Sequence, residues 1–176
     1  MSKIITEKSR KRAVLRRLCC PVMLPALLPA GDKDWTDTQK LADELAAMLA
    51  MNPDAVGLAA PQIGAPVRLI AVRTDFEHNS DIIVLANPVV DHSSGWRMLD
   101  EGCLSLPGRR FLVQRSQTVC VRGFRMSDHT MVKLTARGNA LAQALEHELD
   151  HLDGVLISDK GRERDPEAKI IDPWKK

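Results

Sequence analysis

One string of five residues, His147-Glu148-Leu149-Asp150-His151, constrains this chain more than any other. Two imidazoles four residues apart become neighbours only if the string is helical. They can then share one divalent ion while Glu148 reaches a water beside it. Around the string, Ala142, Leu145, Leu149 and Leu152 recur at three- and four-residue spacing, the period of a helix with one apolar face. A catalytic ion of this kind generally has three protein ligands and an open position. The fold must therefore bring a third ligand to this helix from elsewhere.

Three sources are available. A continuation H-x-x-G-x-x-H is met at Gly154 but fails at Ile157, where the third histidine would stand. A downstream glutamate is offered by Glu163 or Glu167, both in an irregular stretch close behind the helix. The favoured source is Cys103, within Glu101-Gly102-Cys103-Leu104-Ser105 and just before Pro107-Gly108. A lone cysteine is commonly a small buried hydrophobe. On an irregular segment, however, its thiol can turn toward an ion, which deprotonates it outright.

The rest of the chain sets the frame. Its 176 residues, 44% hydrophobic and 27% charged, suit one globular core. A net charge of +2 gives no electrostatic case for a direct nucleic-acid role. Basic residues gather at the start (Lys8, Arg10, Lys11, Arg12, Arg16, Arg17), read as a solvated turn or helix face with a ribosome or nucleic-acid contact as the alternative. The apolar run from Leu18 to Ala30 is broken by Pro21, Pro25 and Pro29, lacks a cleavage pattern and is too short to span a membrane. It reads as an extended segment, and the protein as cytoplasmic. The four cysteines do not have the spacing of a stapled scaffold, and Cys19 and Cys20 are expected to be buried.

A first helix is expected from Thr36 or Asp37 to about Met51. Strands are expected at Val67–Val72, at Ile82–Leu85 and Val89-Val90 with a bend at Asn87-Pro88, and at Phe111–Arg115, Val119–Arg125 and Met131–Thr135. Gly138-Asn139 opens a last helix, Ala140 to about Asp153, with Gly154 as its terminating glycine. This order predicts an α+β fold, mostly antiparallel sheets around a central helix carrying the metal motif. One domain over 1–176 is expected, with a basic, proline-rich segment at about 1–36 and an irregular tail at about 160–176.

Three strings then occur in order: Gly57-Leu58-Ala59-Ala60-Pro61-Gln62, Glu101-Gly102-Cys103-Leu104-Ser105 and His147-Glu148-Leu149-Asp150-His151. Together they resemble the signature motifs of the peptide deformylases, and the similarity covers roughly residues 37 to 159. The resemblance implies a hydrolase that removes the N-formyl group from N-formylmethionyl peptides, with nascent chains as substrate and the ribosome nearby. It implies Fe2+ as the native metal, with Zn2+, Ni2+ or Co2+ as substitutes, held by Cys103, His147 and His151. Glu148 is implied as the general acid and base, with Gln62 and the Leu104 N–H as donors to the oxyanion. Val56, Gly57, Leu99, Gly102, Arg110, Gln143 and Ala144 are implied to contact substrate. Glu101 would support the ligands by pairing with an arginine, and Asp150 by holding local backbone or a basic partner.

Some positions depart from the family pattern. Ala55 replaces a glycine, which would strain a backbone of positive φ. Gln143 replaces an apolar residue in the side-chain pocket, and Glu146 adds a negative charge before the motif. The C-terminal helix common in bacterial members of the family is not expected here. These departures leave room for a formyl-peptide hydrolase with a preference other than methionine and an accessory role. A metalloprotease, or a metal-binding module without catalysis, are the alternatives from other classes.

Overall fold

The computed structural model describes residues 3–9, 12–24, 33–74 and 81–165. Helix α1 spans Lys33–Ala50 and buries Ala42, Leu45, Met48 and Leu49 on one face, starting somewhat before the capping residues Thr36 and Asp37. It ends at Asn52-Pro53, where the Asn52 side chain donates to Met48 O at 2.6 Å. The buried Arg73 donates to Leu49 O and Ala55 O, both at 3.0 Å. A guanidinium thus satisfies a carbonyl at the negative end of the helix and ties down the loop that follows.

The strands are β1 (Gly57–Ala59), β2 (Leu69–Arg73), β3 (Ile82–Ser94), β4 (Arg97–Gly102), β5 (Arg110–Arg115), β6 (Thr118–Arg125), β7 (Thr130–Arg137) and β8 (Arg162–Glu163). They form a five-stranded sheet in the order β1-β2-β3-β6-β7 and a three-stranded sheet in the order β4-β5-β8. Among the described residues, all the pairings within the two sheets are antiparallel. Helix α2 spans Ala140–Leu152, and the short helix α3 Ile157–Lys160.

Every residue of β2 is buried, because α1 packs against this strand and so does α2. A strand covered on both sides reads as an unbroken apolar run, as Leu-Ile-Ala-Val does. One core, around Leu45, Leu49, Leu58, Leu69 and Ala71, includes α1; another, around Ile70, Val72, Val121, Leu145 and Leu149, includes α2. A third joins the start of the chain to the smaller sheet through Ile5, Leu15, Leu106, Phe111 and Val113.

Several expectations need correction. The single strand expected over Ile82–Leu85 and Val89-Val90, bent at Asn87-Pro88, is β3; it takes the bend as register shifts, with Asn87 at φ 49°, and runs on to Ser94. The Asn87 amide accepts from Val22 N and donates to Val22 O, both at 2.7 Å, holding the segment after Cys20 against the sheet. Cys19 is buried, but Cys20 is exposed, because its strand-like pairing with Val67 turns the two side chains opposite ways. Ala55 is under no strain, since Asn87 and His129 are the positive-φ residues other than glycine among those described. The stretch expected to be irregular after position 160 contains β8, which adds to the β5 edge at Phe111 and Leu112. Glu167 and the rest of that stretch beyond 165, like Pro25, Pro29 and the bases at 10 and 11, lie outside the described residues.

Candidate metal centre

Helix α2 starts at Asn139, whose side chain accepts from Ala142 N at 3.0 Å, satisfying one otherwise orphaned N–H. Gly154 follows the helix at φ +73°, and a Cβ there would lie 2.9 Å from the Arg16 carbonyl. Only glycine meets both demands, the left-handed backbone and the close approach. The helix thus lies between the sheet and the folded start of the chain, with His147, Glu148 and His151 all buried.

Cys103 sits on the turn after β4, between the exposed Gly102 and the buried Ser105. Its Sγ lies 3.2 Å from His151 Nε2. The ligand atoms of Cys103, His147 and His151 lie within 4.8 Å of one another. One sulfur and two imidazole nitrogens are a donor set that zinc and iron accept, at bonds of about 2.0–2.3 Å. His147 Nδ1 is 3.0 Å from Glu101 Oε2, which leaves its other nitrogen for an ion and fixes the ring. Among the described residues, the buried Glu148 Oε2 has no hydrogen-bond partner. Orphaned buried atoms are costly in a finished core, so the residues fit a site built around a further group.

Gln62 lies in a 3-10 turn, Ala60–Ile63, and is buried. Its Oε1 accepts from Ala59 N at 2.8 Å. The amide NH2 therefore faces the Cys103 turn, 3.8 Å from Sγ and 3.3 Å from Ser105 Oγ. Gly57 explains itself through Glu148: a Cβ at 57 would stand 2.7 Å from both Cγ and Oε1 of that glutamate.

Behind the histidines runs a chain of charges. Arg115 Nε and Nη2 donate to the two Glu101 oxygens at 2.7 and 2.9 Å, and its Nη1 donates to Asp150 at 2.6 Å. Lys160 donates to the same Asp150 at 2.9 and 3.0 Å. The arginine expected for Glu101 and the basic partner expected for Asp150 are thus one residue. Burial alone would raise the Glu101 carboxyl, but hydrogen bonds from Arg115 and His147 hold it at about 2. Burial raises Glu148 to about 7, with the carboxylates of Glu101 and Asp150 adding to it and His147 and Arg115 opposing it.

The residues implied to contact substrate lie on or beside the elements that carry this centre. Arg110 Nη1 lies over Gly102, and the arginine is held by Asp100, through Oδ1 and the main-chain O, both at 2.9 Å. Val56 precedes Gly57 on the β1 edge and is half-buried, while Leu99 is buried in β4. Gln143, half-buried, and Ala144, buried, lie one turn before His147 and Glu148. Leu104 is half-buried beside Cys103 and packs on the α1 core. The Glu146 carboxylate is engaged by Ser116, whose N and Oγ each donate to it at 2.8 Å.

The sequence reading gives no role at the site to Arg115, Ser105 or Ser116. Arg115 had a signal: it shares strand parity with the inward-facing Phe111 and Val113, so a charged group had to meet buried partners.

A sequence model of the polypeptide deformylase family matches residues 6–167. The chain is 44% identical over 125 residues to a peptide deformylase of Thermodesulfovibrio yellowstonii, covering 70% of this chain and 74% of that one. It is 35% identical over 170 residues to a peptide deformylase of Chloroflexus aurantiacus, covering 89% and 85%. The crystal structure of a peptide deformylase from Synechococcus elongatus in complex with actinonin superposes with a TM-score of 0.72 at 28% identity, covering 92% of this chain and 80% of that one.

Proposed function

The chain belongs to the peptide deformylase family, and from that premise we propose how its own residues remove the N-formyl group from N-formylmethionyl peptides and release formate. The observation that carries the proposal is the convergence of Cys103 Sγ and two imidazoles within 4.8 Å, on a turn and on a helix that carries Glu148. Cys103, His147 and His151 would hold one divalent ion, and Fe2+ is our choice for the native metal. Bound there, the ion supplies a Lewis acid and a water of lowered pKa.

Glu148 takes a proton from the attacking water and returns it to the amine nitrogen as the carbon–nitrogen bond breaks. The Gln62 amide NH2 and the Leu104 N–H donate to the oxygen that gains charge on the formyl carbon. Because Oε1 of Gln62 is occupied by Ala59 N, the donor end of that amide is set before substrate arrives. Glu101 keeps His147 oriented, with Arg115 and Asp150 behind it.

The substrate backbone has two strand edges to use. β1 ends the larger sheet and β4 ends the smaller one, and the first leads to Gln62 while the second leads to Cys103. A peptide pairing with these edges would pass Val56, Gly57, Leu99 and Gly102, with Arg110 alongside. We assign the first side chain to the region of Leu99, Gln143 and Ala144. A half-buried amide at Gln143 favours a second reading, in which methionine is not the preferred first residue. The substrate class places the enzyme on nascent chains in the cytoplasm, near the ribosome.

Formate release from a formyl-methionyl peptide by protein purified anaerobically with Fe2+ tests this function, and rates with polar first residues decide between the two preferences. Metal bound without turnover would instead mark a binding module. Cys103→Ser should lose both metal and activity; if both persist, the site is a protease-like one that does not use the thiol.

A further inference from the structure

The proposed chemistry draws Gln62 from one loop and Cys103 and Leu104 from another, and one short segment touches both. Ile5 N donates to Gln62 O at 2.6 Å, and Glu7 N donates to Ser105 O at 3.0 Å. Ile5 is buried with Leu15, Leu106 and Phe111 in a cluster against which Cys103 also packs. Residues 5–7 therefore act as a main-chain splint between the loop carrying the oxyanion donor and the loop carrying the ligand thiol. A segment held by so few main-chain hydrogen bonds opens readily unless a side chain ties it down.

Arg109 is that tie. It closes the turn that begins at Cys103, since Leu106 N donates to Cys103 O and Arg109 N donates to Leu106 O. Its Nη1 donates to both carboxylate oxygens of Glu7, at 3.0 and 3.2 Å. Its Nε and Nη2 donate to the two oxygens of Glu163 on β8, at 2.7 and 2.9 Å. Its Cζ stands 5.0 Å from the centre of the Phe111 ring. One guanidinium thus joins the Cys103 turn to segments from opposite ends of the described chain. Lysine has no planar fork with which to engage two carboxylates in this way.

We propose that Arg109 is a positioning residue for deformylation: by latching Glu7 and Glu163 to the Cys103 turn, it keeps the splint seated and holds Gln62 and Leu104 at the separation the oxyanion needs. The proposal rests on the function assigned to the site above. Arg110, next in the chain, takes no part, because it is committed to Asp100. The side chains of Arg109, Glu7 and Glu163 are 35%, 37% and 50% exposed. Salt therefore screens the latch, and its loss should leave the fold standing.

Arg109→Gln should lower kcat about three- to fivefold, the scale of a small exposed ion-pair network, with KM, metal content and melting temperature nearly unchanged. Glu7→Gln and Glu163→Gln should each lower kcat less and add little to Arg109→Gln. Raising NaCl from about 0.05 to about 0.5 M should slow the wild type toward the variant and leave the variant's rate where it is. Independently of turnover, hydrogen exchange at the Ile5 and Glu7 amides should quicken in the variant while that in β6 does not. Unchanged exchange at those two amides, or an increase spread over the whole fold, overturns the proposal. Arg109→Lys carries the same readouts if the glutamine variant folds poorly. If the wild type releases no formate, the assigned function fails and the exchange measurement still decides the latch.

Discussion

At the scale of single residues, close contacts make sharp tests. Gly57→Ala would place a methyl 2.7 Å from Glu148 Cγ and Oε1, so the glutamate must move. Overpacking of this kind costs about 1–3 kcal/mol, but the larger effect should fall on turnover. Displacement of the proposed general base by a fraction of an ångström should lower kcat by about tenfold or more, with the ion still bound. Equal kcat in the variant would show that Glu148 tolerates another seat. The two adjacent cysteines give a chemical test. Burial pushes the Cys19 thiol up to about 11, and the thiolate is the reactive form. Near neutral pH, iodoacetamide should label the exposed Cys20 and leave Cys19 almost untouched; labelling of Cys19 should climb only as pH approaches about 11. Peptide mass spectrometry of the labelled native protein reads both.

At the scale of elements, what the sequence discloses follows from how each element is stabilised. Helix α2 is legible because its apolar period, its Asn139 cap and its terminating glycine agree. The Cys103–His147–His151 grouping is legible because ligand types at helical spacing demand a partner. Strand β4 is missed, since Leu99, Asp100 and Glu101 are all buried in succession and so show no alternation. Two consecutive carboxylates can be buried because Arg115, Arg110, Arg164 and His147 meet them, and those partners come from outside β4. Arg115→Met should show the weight of this cross-element pairing. Removing one partner of a buried pair costs about 3–5 kcal/mol, read as a lower urea midpoint. The effect has a pH signature. The Glu101 carboxyl, held at about 2 against an ordinary 4.5, contributes stability that is complete above 4.5 and is lost as pH falls through about 2. The midpoints of wild type and variant should therefore lie farthest apart near neutrality and converge as the medium is acidified across that window. A gap constant with pH would mean that Arg115 acts through packing alone.

At the scale of the molecule, the centre joins parts that pack separately. Cys103 follows β4 in the smaller sheet, while His147 and His151 ride on α2, which packs against the larger one. Contacts of the Cys103 turn with the rest include the Ile5–Glu7 segment and the Gln62 amide. An ion held by all three ligands would cross-link the two sheets and would have little affinity for an unfolded chain that scatters them. Binding to the native state alone stabilises it by about 4 kcal/mol at a free concentration a thousandfold above Kd. For a chain of this size each kcal/mol moves the melting temperature by about 2–4 °C. Removing the metal with a chelator should therefore lower the melting temperature by roughly 10 °C, and restoring Fe2+ or Zn2+ should recover it. Cys103→Ser should melt near the chelated wild type and gain little from added metal, because the cross-link loses its anchor in the smaller sheet. His151→Ala should behave alike in metal response, although it also removes a buried ring. Glu148→Gln keeps all three ligands and should retain the metal-dependent shift while losing turnover. If chelation leaves the wild type's melting temperature unchanged, or if Cys103→Ser keeps the full shift, the three residues do not hold a common ion.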